Sequence, residues 1–305
     1  MKTVCSYYAI SGTVPFLDID IENDNRIFID PHKVRLSGQN TSFGKLAHQC
    51  MDTFMEEIVE CILEGSPKSL WRGENLLQKF FEPRETHLGM SRRGIRGHGG
   101  ADAVGTWIWE VLNGDVEALV RLGVLRQIED IPLFVKGVDR DITSDIATRI
   151  IYSALADFTS LMVKKYPQFR SCGHGVEKFA QQVWSVNSLD WVEEDVLLPV
   201  ADGEPLLLVP KDWVGSDLLM SARRFYKTTV LSYAQLEQIV VDARGKVIKT
   251  PKDQLERQPA LRRGRDTNLT VTLRAFKNGE DLIRSFKLFV SEQLDKKSTN
   301  NRDAA

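Results

Sequence analysis

The sequence predicts an α+β or mixed α/β fold, and three stretches carry this prediction. Residues 14–21 alternate apolar and acidic side chains, which is typical of a half-buried strand. Residues 43–64 repeat apolar side chains every three or four positions, which is typical of an amphipathic helix. The apolar run of residues 132–138 breaks into an acidic segment and then a long helical pattern, which predicts a central strand, turn and helix.

The N-terminal region predicts a β-hairpin. Residues 14–21 and 26–30 are the two strands, and the turn formers of residues 22–25 connect them. The alternation places Asp18 and Asp20 on the solvent side of the first strand. A calcium loop is not predicted, because the required glycine and the twelfth-position carboxylate are missing.

Several long amphipathic helices and a second hairpin complete the predicted fold. The second hairpin pairs residues 196–200 with residues 205–209 around an Ala-Asp-Gly turn. We predict one elaborated globular domain over residues 1–294, with a subdivision near residues 168–176 as the alternative, and a disordered tail over residues 295–305. The predicted helices cover residues 43–64, a short segment at 76–81, a helix from about residue 101, and residues 115–126, 144–166, 216–226, 233–242 and 278–293.

Composition and charge narrow the function classes. The net charge of −2 predicts no overall attraction to nucleic acid, so binding of that kind requires a local basic patch. The four cysteines have neither paired nor CxxC spacing, which favours reduced thiols and a cytoplasmic protein. No signal-peptide pattern and no apolar run of membrane-spanning length occurs in the sequence, so no membrane partner is expected.

A basic, glycine-rich segment precedes the helix predicted from Ala101. Backbone N–H groups of such a turn, at a helix N-terminus, form an anion pocket, so the segment predicts phosphate binding. Tight turns and close helix packing are the structural alternative for these glycines. The predicted phosphate-binding residues are Arg92, Arg93, Arg96, Gly97, Gly99 and Gly100.

The residues from Gly97 to Ala103 resemble the GxGxxxA turn of helix-hairpin-helix modules. That resemblance implies a grip on a nucleic-acid backbone through amides, and it covers about fifteen residues. His98 departs from the pattern, where an apolar residue is usual.

The acidic segment after residue 138 predicts a metal site. Asp139 and Asp141 follow the predicted strand, where ligand sites of α/β proteins concentrate, and carboxylates are ligands of Mg²⁺. Glu57 is the proposed further metal ligand, with Glu60 as the alternative to it. Thr143 or Ser144 is the expected N-cap of the following helix, and Asp145 would complement the helix dipole. Ordinary turn chemistry is the competing explanation for Asp139 and Asp141.

Other chemistries are weighed against this site. Two pairs of side chains are of the zinc-ligand type, His48 with Cys50 and Cys172 with His174. His48 and Cys50 are two positions apart on a predicted helix and therefore point in different directions, which argues against a shared metal ion. A Cys172–His174 nucleophilic pair lacks an orienting acid.

The second hairpin also carries the residue types of one nuclease family. Asp202, Glu204 and Lys211 resemble the carboxylate–lysine set of PD-(D/E)xK nucleases. In this sequence Glu204 and Lys211 stand about 23 Å apart along an extended strand, too far for one metal site.

A basic, turn-rich stretch begins at Arg244. Backbone phosphates are one expected partner, and a solvated face or linker is the alternative, because acidic residues interleave and aromatic residues are lacking. The stretch comprises Arg244, Lys246, Lys249, Lys252, Arg257, Arg262, Arg263 and Arg265.

The FLDIDI start, the glycine-rich segment and the GVDRDITSD segment together resemble uncharacterised bacterial proteins found in phage-defence neighbourhoods. The resemblance covers most of the chain and implies a nucleic-acid-acting protein. We expect a metal-dependent phosphodiesterase (a nuclease) with Asp139 and Asp141 as catalytic residues, acting on a DNA or RNA backbone with Mg²⁺. The rival is a non-enzymatic subunit of a defence or regulatory complex, with protein partners from the same operon. A small-molecule hydrolase with a deep apolar pocket is the third expectation.

Overall fold

The computed structural model describes residues 2–90, 101–171 and 173–303. Helices predominate, and the strands form small antiparallel sheets, so the predicted α+β class is confirmed. In chain order the α-helices are α1 Val4–Tyr7, α2 Pro31–Ser37, α3 Ser42–Glu64, α4 Pro67–Leu77, α5 Ala101–Leu112, α6 Glu117–Arg121, α7 Ile131–Phe134, α8 Arg140–Ile150, α9 Tyr152–Lys165, α10 Ala222–Phe225, α11 Leu231–Glu237, α12 Lys252–Leu255, α13 Arg265–Lys277 and α14 Leu282–Asp303.

Three antiparallel sheets occur in the described residues. β1 pairs with β5, the strands β2, β3 and β4 form a three-stranded sheet in that order, and β6 pairs with β7. Their bounds are β1 Phe28–Ile29, β2 Val176–Ser185, β3 Asp190–Ala201, β4 Glu204–Pro205, β5 Val214–Gly215, β6 Val240–Val241 and β7 Val247–Ile248.

The chain forms two compact units, each made of two separate segments. The first unit contains Met1–Glu110 and Asp139–Leu218, and the second contains Val111–Val138 and Leu219–Ala305. The predicted single domain over residues 1–294, with a subdivision near 168–176 as its alternative, stays a prediction. Helix α14 runs to Asp303, whereas the sequence predicts a disordered tail over residues 295–305. Extending an existing helix adds a backbone hydrogen bond for each residue, so helix can continue where no apolar face requires it.

The core of the first unit contains the N-terminal segment. Phe16 and Ile19 are buried in one cluster with Phe158 and Phe169 of the later helical region and with Leu208. The alternation of residues 14–21 therefore predicts burial correctly.

The predicted N-terminal hairpin does not form. Residues 14–21 make only isolated bridges, from Asp20 to Thr3 and from Phe16 to Pro210, and β1 pairs with β5 instead. Asp18 is exposed, as predicted, and its carboxylate accepts the backbone N–H of Cys5 at 2.7 Å. Side-chain acceptors of this kind compete with a regular ladder.

The predicted central strand at residues 132–138 does not form. Residues 131–134 form α7, with Pro132 in its first turn, where a missing N–H has no cost. Helix α8 begins at Arg140, earlier than predicted, because Asp139 caps it. The expected cap residue Ser144 instead accepts the backbone N–H of Ile29 in β1, at 2.9 Å.

Helix α3 and the second hairpin agree with the sequence. Helix α3 spans Ser42–Glu64, and Thr41 accepts the N–H of Gly44 at its start. Strands β3 and β4 pair Ala201 with Glu204 around the predicted turn, although β4 is shorter than expected. Residues 190–199 of β3 also pair with β2, which forms a longer hairpin that the sequence does not predict.

No single helix of the described residues is long and apolar enough to cross a membrane. Helices α8 and α9 have the length and apolar composition of a membrane span only when taken together, and they are bent by 73° where they join.

Candidate functional site

The predicted catalytic aspartates lie at the N-terminus of α8. Oδ1 of Asp139 accepts the backbone N–H groups of Asp141 at 3.1 Å and Ile142 at 3.4 Å. The carbonyl oxygen of Asp139 accepts the hydroxyl of Thr143 at 2.6 Å. A carboxylate in this position satisfies N–H groups that a helix start leaves without partners. Helix capping thus accounts for Asp139.

Asp141 anchors the loop that leads into the glycine-rich segment. Its Oδ1 accepts the backbone N–H of Met90 at 3.2 Å. The same loop is held from its other side, where Gly89 donates its N–H to the carbonyl of Asn25 at 2.9 Å. The structure therefore brings the entrance of the glycine-rich segment to the acidic turn. The predicted phosphate-binding residues lie outside the described residues, and they are Arg92, Arg93, Arg96, Gly97, Gly99 and Gly100.

Glu57, the predicted further metal ligand, pairs with an arginine. Its Oε1 lies 2.6 Å from Nε of Arg72, and this hydrogen bond raises the pKa of the guanidinium. Arg72 also donates to the carbonyl of Leu189, at 2.6 Å, and lies 3.6 Å from the carboxylate of Asp190. Through Arg72, Glu57 holds the turn between β2 and β3 against α3 and α4.

The described residues contain no group of three or more His, Cys, Asp or Glu side chains suited to hold a metal ion. The Asp139 carboxylate is occupied as a helix cap, and Glu57 is neutralised by Arg72. These donors do not match a Mg²⁺ site, which needs several oxygens around one point. Mg²⁺ binding by Asp139, Asp141 and Glu57 stays a prediction.

An open cleft of about 440 Å³ in the first unit is acidic. It is lined by α9, β2 and β3, and its carboxylates are Asp157, Glu194 and Asp195. Burial raises the pKa of Asp157. A site for phosphate needs positive charge or N–H donors, and a small-molecule hydrolase needs a deep, mainly apolar pocket. The cleft is polar, open and acidic, so it matches neither a phosphate site nor the pocket of a small-molecule hydrolase.

Cysteine chemistry has no support in the described residues. Cys5, Cys50 and Cys61 are free, and burial raises the pKa of each thiol to about 11. A reactive cysteine requires the opposite shift, because the thiolate is the nucleophile. Cys172 lies outside the described residues, and Nε2 of His48 lies 3.0 Å from the carbonyl of Val34.

The two units carry opposite charge. The second unit contains 21 lysines and arginines and 14 aspartates and glutamates, a formal charge of +7. The first unit contains 19 basic and 28 acidic residues, a formal charge of −9. The overall charge of −2 conceals this separation. A strongly basic unit is the electrostatic signature of a surface that binds a polyanion.

A two-stranded hairpin of the second unit presents part of this charge. We call residues 239–249, which contain β6 and β7, the β-arm. In its turn, Oδ1 of Asp242 accepts the backbone N–H groups of Arg244 at 2.8 Å and Lys246 at 2.9 Å. Gly245 has φ of 75°, a value that disfavours other residues, and it donates its N–H to the carbonyl of Asp242. The turn therefore has a defined shape and displays two basic side chains.

The base of the β-arm is tied to neighbouring helices of the same unit. The side-chain amide of Gln235 in α11 donates to the carbonyl of Thr250 at 2.7 Å. Nζ of Lys252 donates to the hydroxyl of Ser232 at 2.7 Å and to the carbonyl of Lys227 at 2.9 Å. Burial lowers the pKa of Lys252. These contacts hold the position from which the hairpin projects.

The strand residues of the β-arm are apolar and exposed. Val240 pairs with Ile248 and Val241 pairs with Val247, and the four side chains are 62%, 51%, 59% and 52% exposed. Successive strand residues point to opposite faces, so both faces of the ribbon present apolar surface.

The sequence predicts the basic stretch but not the β-arm. The sequence predicts one helix over residues 233–242, whereas α11 ends at Glu237 and β6 follows. The missed signal was a glycine-containing turn between two pairs of β-branched residues, which is typical of a hairpin.

The comparisons with known proteins provide a family but no activity. A family model described as a domain of unknown function (DUF8370) matches residues 10–222, more than two thirds of the chain. No curated protein and no solved structure matches the chain. The matched range includes the acidic turn and the cleft, and it ends before the β-arm and the basic C-terminal helices.

Proposed function

We propose that this chain, which belongs to the DUF8370 family, is a nucleic-acid-binding protein whose second unit holds the phosphate backbone. The observation that carries the proposal is the separation of charge, +7 in the second unit against −9 in the first. A phosphate backbone carries condensed counterions, and basic side chains that replace them release these ions to solution. That gain is local, so the acidic first unit does not remove it.

The basic side chains available for this purpose differ in their surroundings. Arg274 pairs with Glu237 at 2.7 Å, and Lys287 pairs with Asp130 at 2.6 Å, so these two are structural. Exposed basic side chains on the surface of the second unit include Arg223, Lys227, Arg244, Lys246, Lys249, Arg257, Arg262, Arg263, Lys277 and Arg284. Exposed cations of this number supply the sequence-independent part of nucleic-acid affinity.

A binding role has better support than a nuclease role. Asp139 and Asp141 each accept a backbone N–H. Asp139 thereby caps α8, and Asp141 holds the loop at Met90. Metal-dependent hydrolysis with Mg²⁺, a place in bacterial defence, protein partners from the same operon and a cytoplasmic location extend the proposal, and they rest on the sequence.

The experiment measures binding of the full chain to a labelled 30-base-pair duplex by fluorescence anisotropy across a salt series. The test variant replaces Arg244, Lys246 and Lys249 by alanine. A matched control removes the same charges from exposed positions of the first unit, Lys45, Lys68 and Arg170. For the wild type we expect log Kobs to fall linearly with log salt concentration, and for the test variant a slope smaller by about 2 to 3, since each phosphate contact contributes about 0.9.

The control variant should keep the wild-type slope, because the proposal places no phosphate contact on Lys45, Lys68 or Arg170. An equal decrease of the slope in both variants would mean that binding depends on the total charge of the chain and not on the basic residues of the second unit. An absence of binding to double-stranded and single-stranded DNA and to RNA at low salt would end the proposal.

A further inference from the structure

We infer that the β-arm enters the major groove of duplex DNA and reads thymine methyl groups with its apolar side chains. This inference rests on the proposed function and adds the form of nucleic acid and the mode of contact. Its starting observation is that Val240, Val241, Val247 and Ile248 are all more than half exposed on a ribbon anchored at its base.

The fold of the second unit leaves more than half of each of these side chains exposed. An isolated two-stranded hairpin gains stability by packing one face on a core, and here the apolar side chains of both faces remain more than half exposed to water. Leaving four β-branched side chains exposed at adjacent positions is unfavourable unless a partner covers them.

Charge complementarity identifies the partner as a polyanion. Arg244, Lys246 and Lys249 lie within the β-arm, and the one carboxylate there, Asp242, is engaged with the backbone N–H groups of the turn. A partner that covers the apolar residues must therefore also accept positive charge beside them. A nucleic-acid groove offers both, with phosphates along its edges and base surfaces at its floor.

The shape of the ribbon favours B-form DNA over other nucleic acids. The major groove of B-DNA is about 12 Å wide and admits a two-stranded β-ribbon, whereas the major groove of A-form RNA is too narrow. Single strands are bound by stacking on aromatic rings, and the sequence of residues 239–249 contains none.

The chemistry of the groove supplies a specific contact for valine and isoleucine. Thymine presents its C5-methyl group in the major groove, and apolar side chains recognise it by direct contact. With Arg244 and Lys246 directed to phosphates or to guanine edges at the turn, the strand residues of the β-arm would meet the base edges. The inference therefore predicts dependence on the methyl groups themselves.

The test compares two duplexes of one AT-rich sequence, the second with every thymine replaced by uracil, which lacks only the methyl group. Binding of the full chain is measured by anisotropy at one salt concentration. We expect the wild type to bind the thymine duplex more tightly, by about fourfold for each methyl group buried. The substitutions Val240→Ser, Val241→Ser, Val247→Ser and Ile248→Ser, made together, remove every side-chain methyl group from the two strands and keep the charge. We expect this serine variant to bind both duplexes equally.

Leu288→Gln is the matched control, because Leu288 is an exposed leucine of α14 outside the β-arm. It should preserve the preference for thymine. Circular dichroism and thermal melting establish that each variant is folded, and sedimentation reports its oligomeric state.

Each remaining outcome is decisive. Equal binding of both duplexes by the wild type, with an intact salt dependence, overturns the inference and leaves the proposed function standing. A serine variant that changes oligomeric state but not DNA binding would show that the β-arm joins copies of the chain, which also overturns the inference. Failure of the wild type to bind any nucleic acid removes the proposed function and the inference together.

Discussion

Oδ1 of Asp141 accepts the backbone N–H of Met90 at 3.2 Å, which ties the start of α8 to the last residue that the structure describes before residues 91–100 of the glycine-rich segment. The two residues are 51 positions apart in the chain. A hydrogen bond to a carboxylate is stronger than one between neutral groups. The acidic turn and the glycine-rich segment thus meet at this contact, which holds the loop at Met90 against α8.

Asp141→Ala should release the loop at Met90. We expect faster hydrogen exchange at the Met90 amide and a free energy of unfolding lower by about 1 to 2 kcal/mol, because a hydrogen bond to a charged group is lost. Asp141→Asn keeps an acceptor oxygen, so its exchange rate at Met90 and its free energy of unfolding should lie between those of the alanine variant and of the wild type. Exchange at Met90 that is the same in all three proteins would contradict the role assigned to Asp141.

Asp139 separates the capping role from the predicted catalytic role. Asn caps helices about as well as Asp, so Asp139→Asn should leave stability near wild type, whereas Asp139→Ala should lose about 1 kcal/mol. Unfolding in urea measures both. The same variants test the nuclease prediction on plasmid, single-stranded DNA and RNA with Mg²⁺, Mn²⁺ or EDTA. Metal-dependent cleavage by wild type that Asp139→Asn abolishes without loss of stability would assign Asp139 to catalysis.

The ion pair of Asp130 and Lys287 makes the stability of the second unit depend on pH. Asp130 is buried, and burial raises the pKa of its carboxyl above 3.8, while Lys287 opposes this shift. With a raised pKa the native state holds the proton to higher pH than the unfolded chain. Protonation of Asp130 therefore contributes its full stabilisation below pH 3.8. That stabilisation is lost as the pH rises through the pKa of Asp130 in the native state.

Lys287→Met should remove about 3 kcal/mol of stability at neutral pH, because it leaves a buried carboxylate without its partner. The loss should shrink towards acid pH, where Asp130 is protonated. Adding Asp130→Asn to that variant should recover much of the stability and flatten the pH dependence. Urea unfolding from about pH 3 to about pH 8 measures these effects. A loss from Lys287→Met that is constant across this range would refute the assignment.

Gly105 allows α5 to approach α4 closely. A Cβ atom at this position would clash with the carbonyl oxygen of Leu77, a backbone atom that cannot rotate away. Gly105→Ala should therefore lower the free energy of unfolding by about 1 to 3 kcal/mol, although alanine favours helix. Gly175→Ala is the control in the same unit, because its Cβ would approach nothing closer than 4.0 Å. Equal thermal stability of both variants would contradict the close contact.

Local patterns predicted the elements whose cause is local. Helix α3 follows from its apolar spacing, and the β3–β4 hairpin follows from its turn residues. The predicted strand at residues 132–138 failed because a short apolar run is compatible with helix or strand, and Pro132 suits a first helical turn. The predicted strand at 14–21 failed for a different reason. Alternation identified which side chains are buried, but not which backbone groups pair.

The sequence by itself determined the α+β class, the long amphipathic helix α3, the turn of the second hairpin and the identity of the basic stretch, since each depends on neighbours in the chain. Only the tertiary structure decided that Asp139 and Asp141 serve backbone N–H groups and that Glu57 belongs to Arg72. It also joined residues 111–138 to residues 219–305 in one basic unit. Contacts between residues distant in sequence leave no local periodicity, so the partners of these side chains and the segregation of charge arise from the fold.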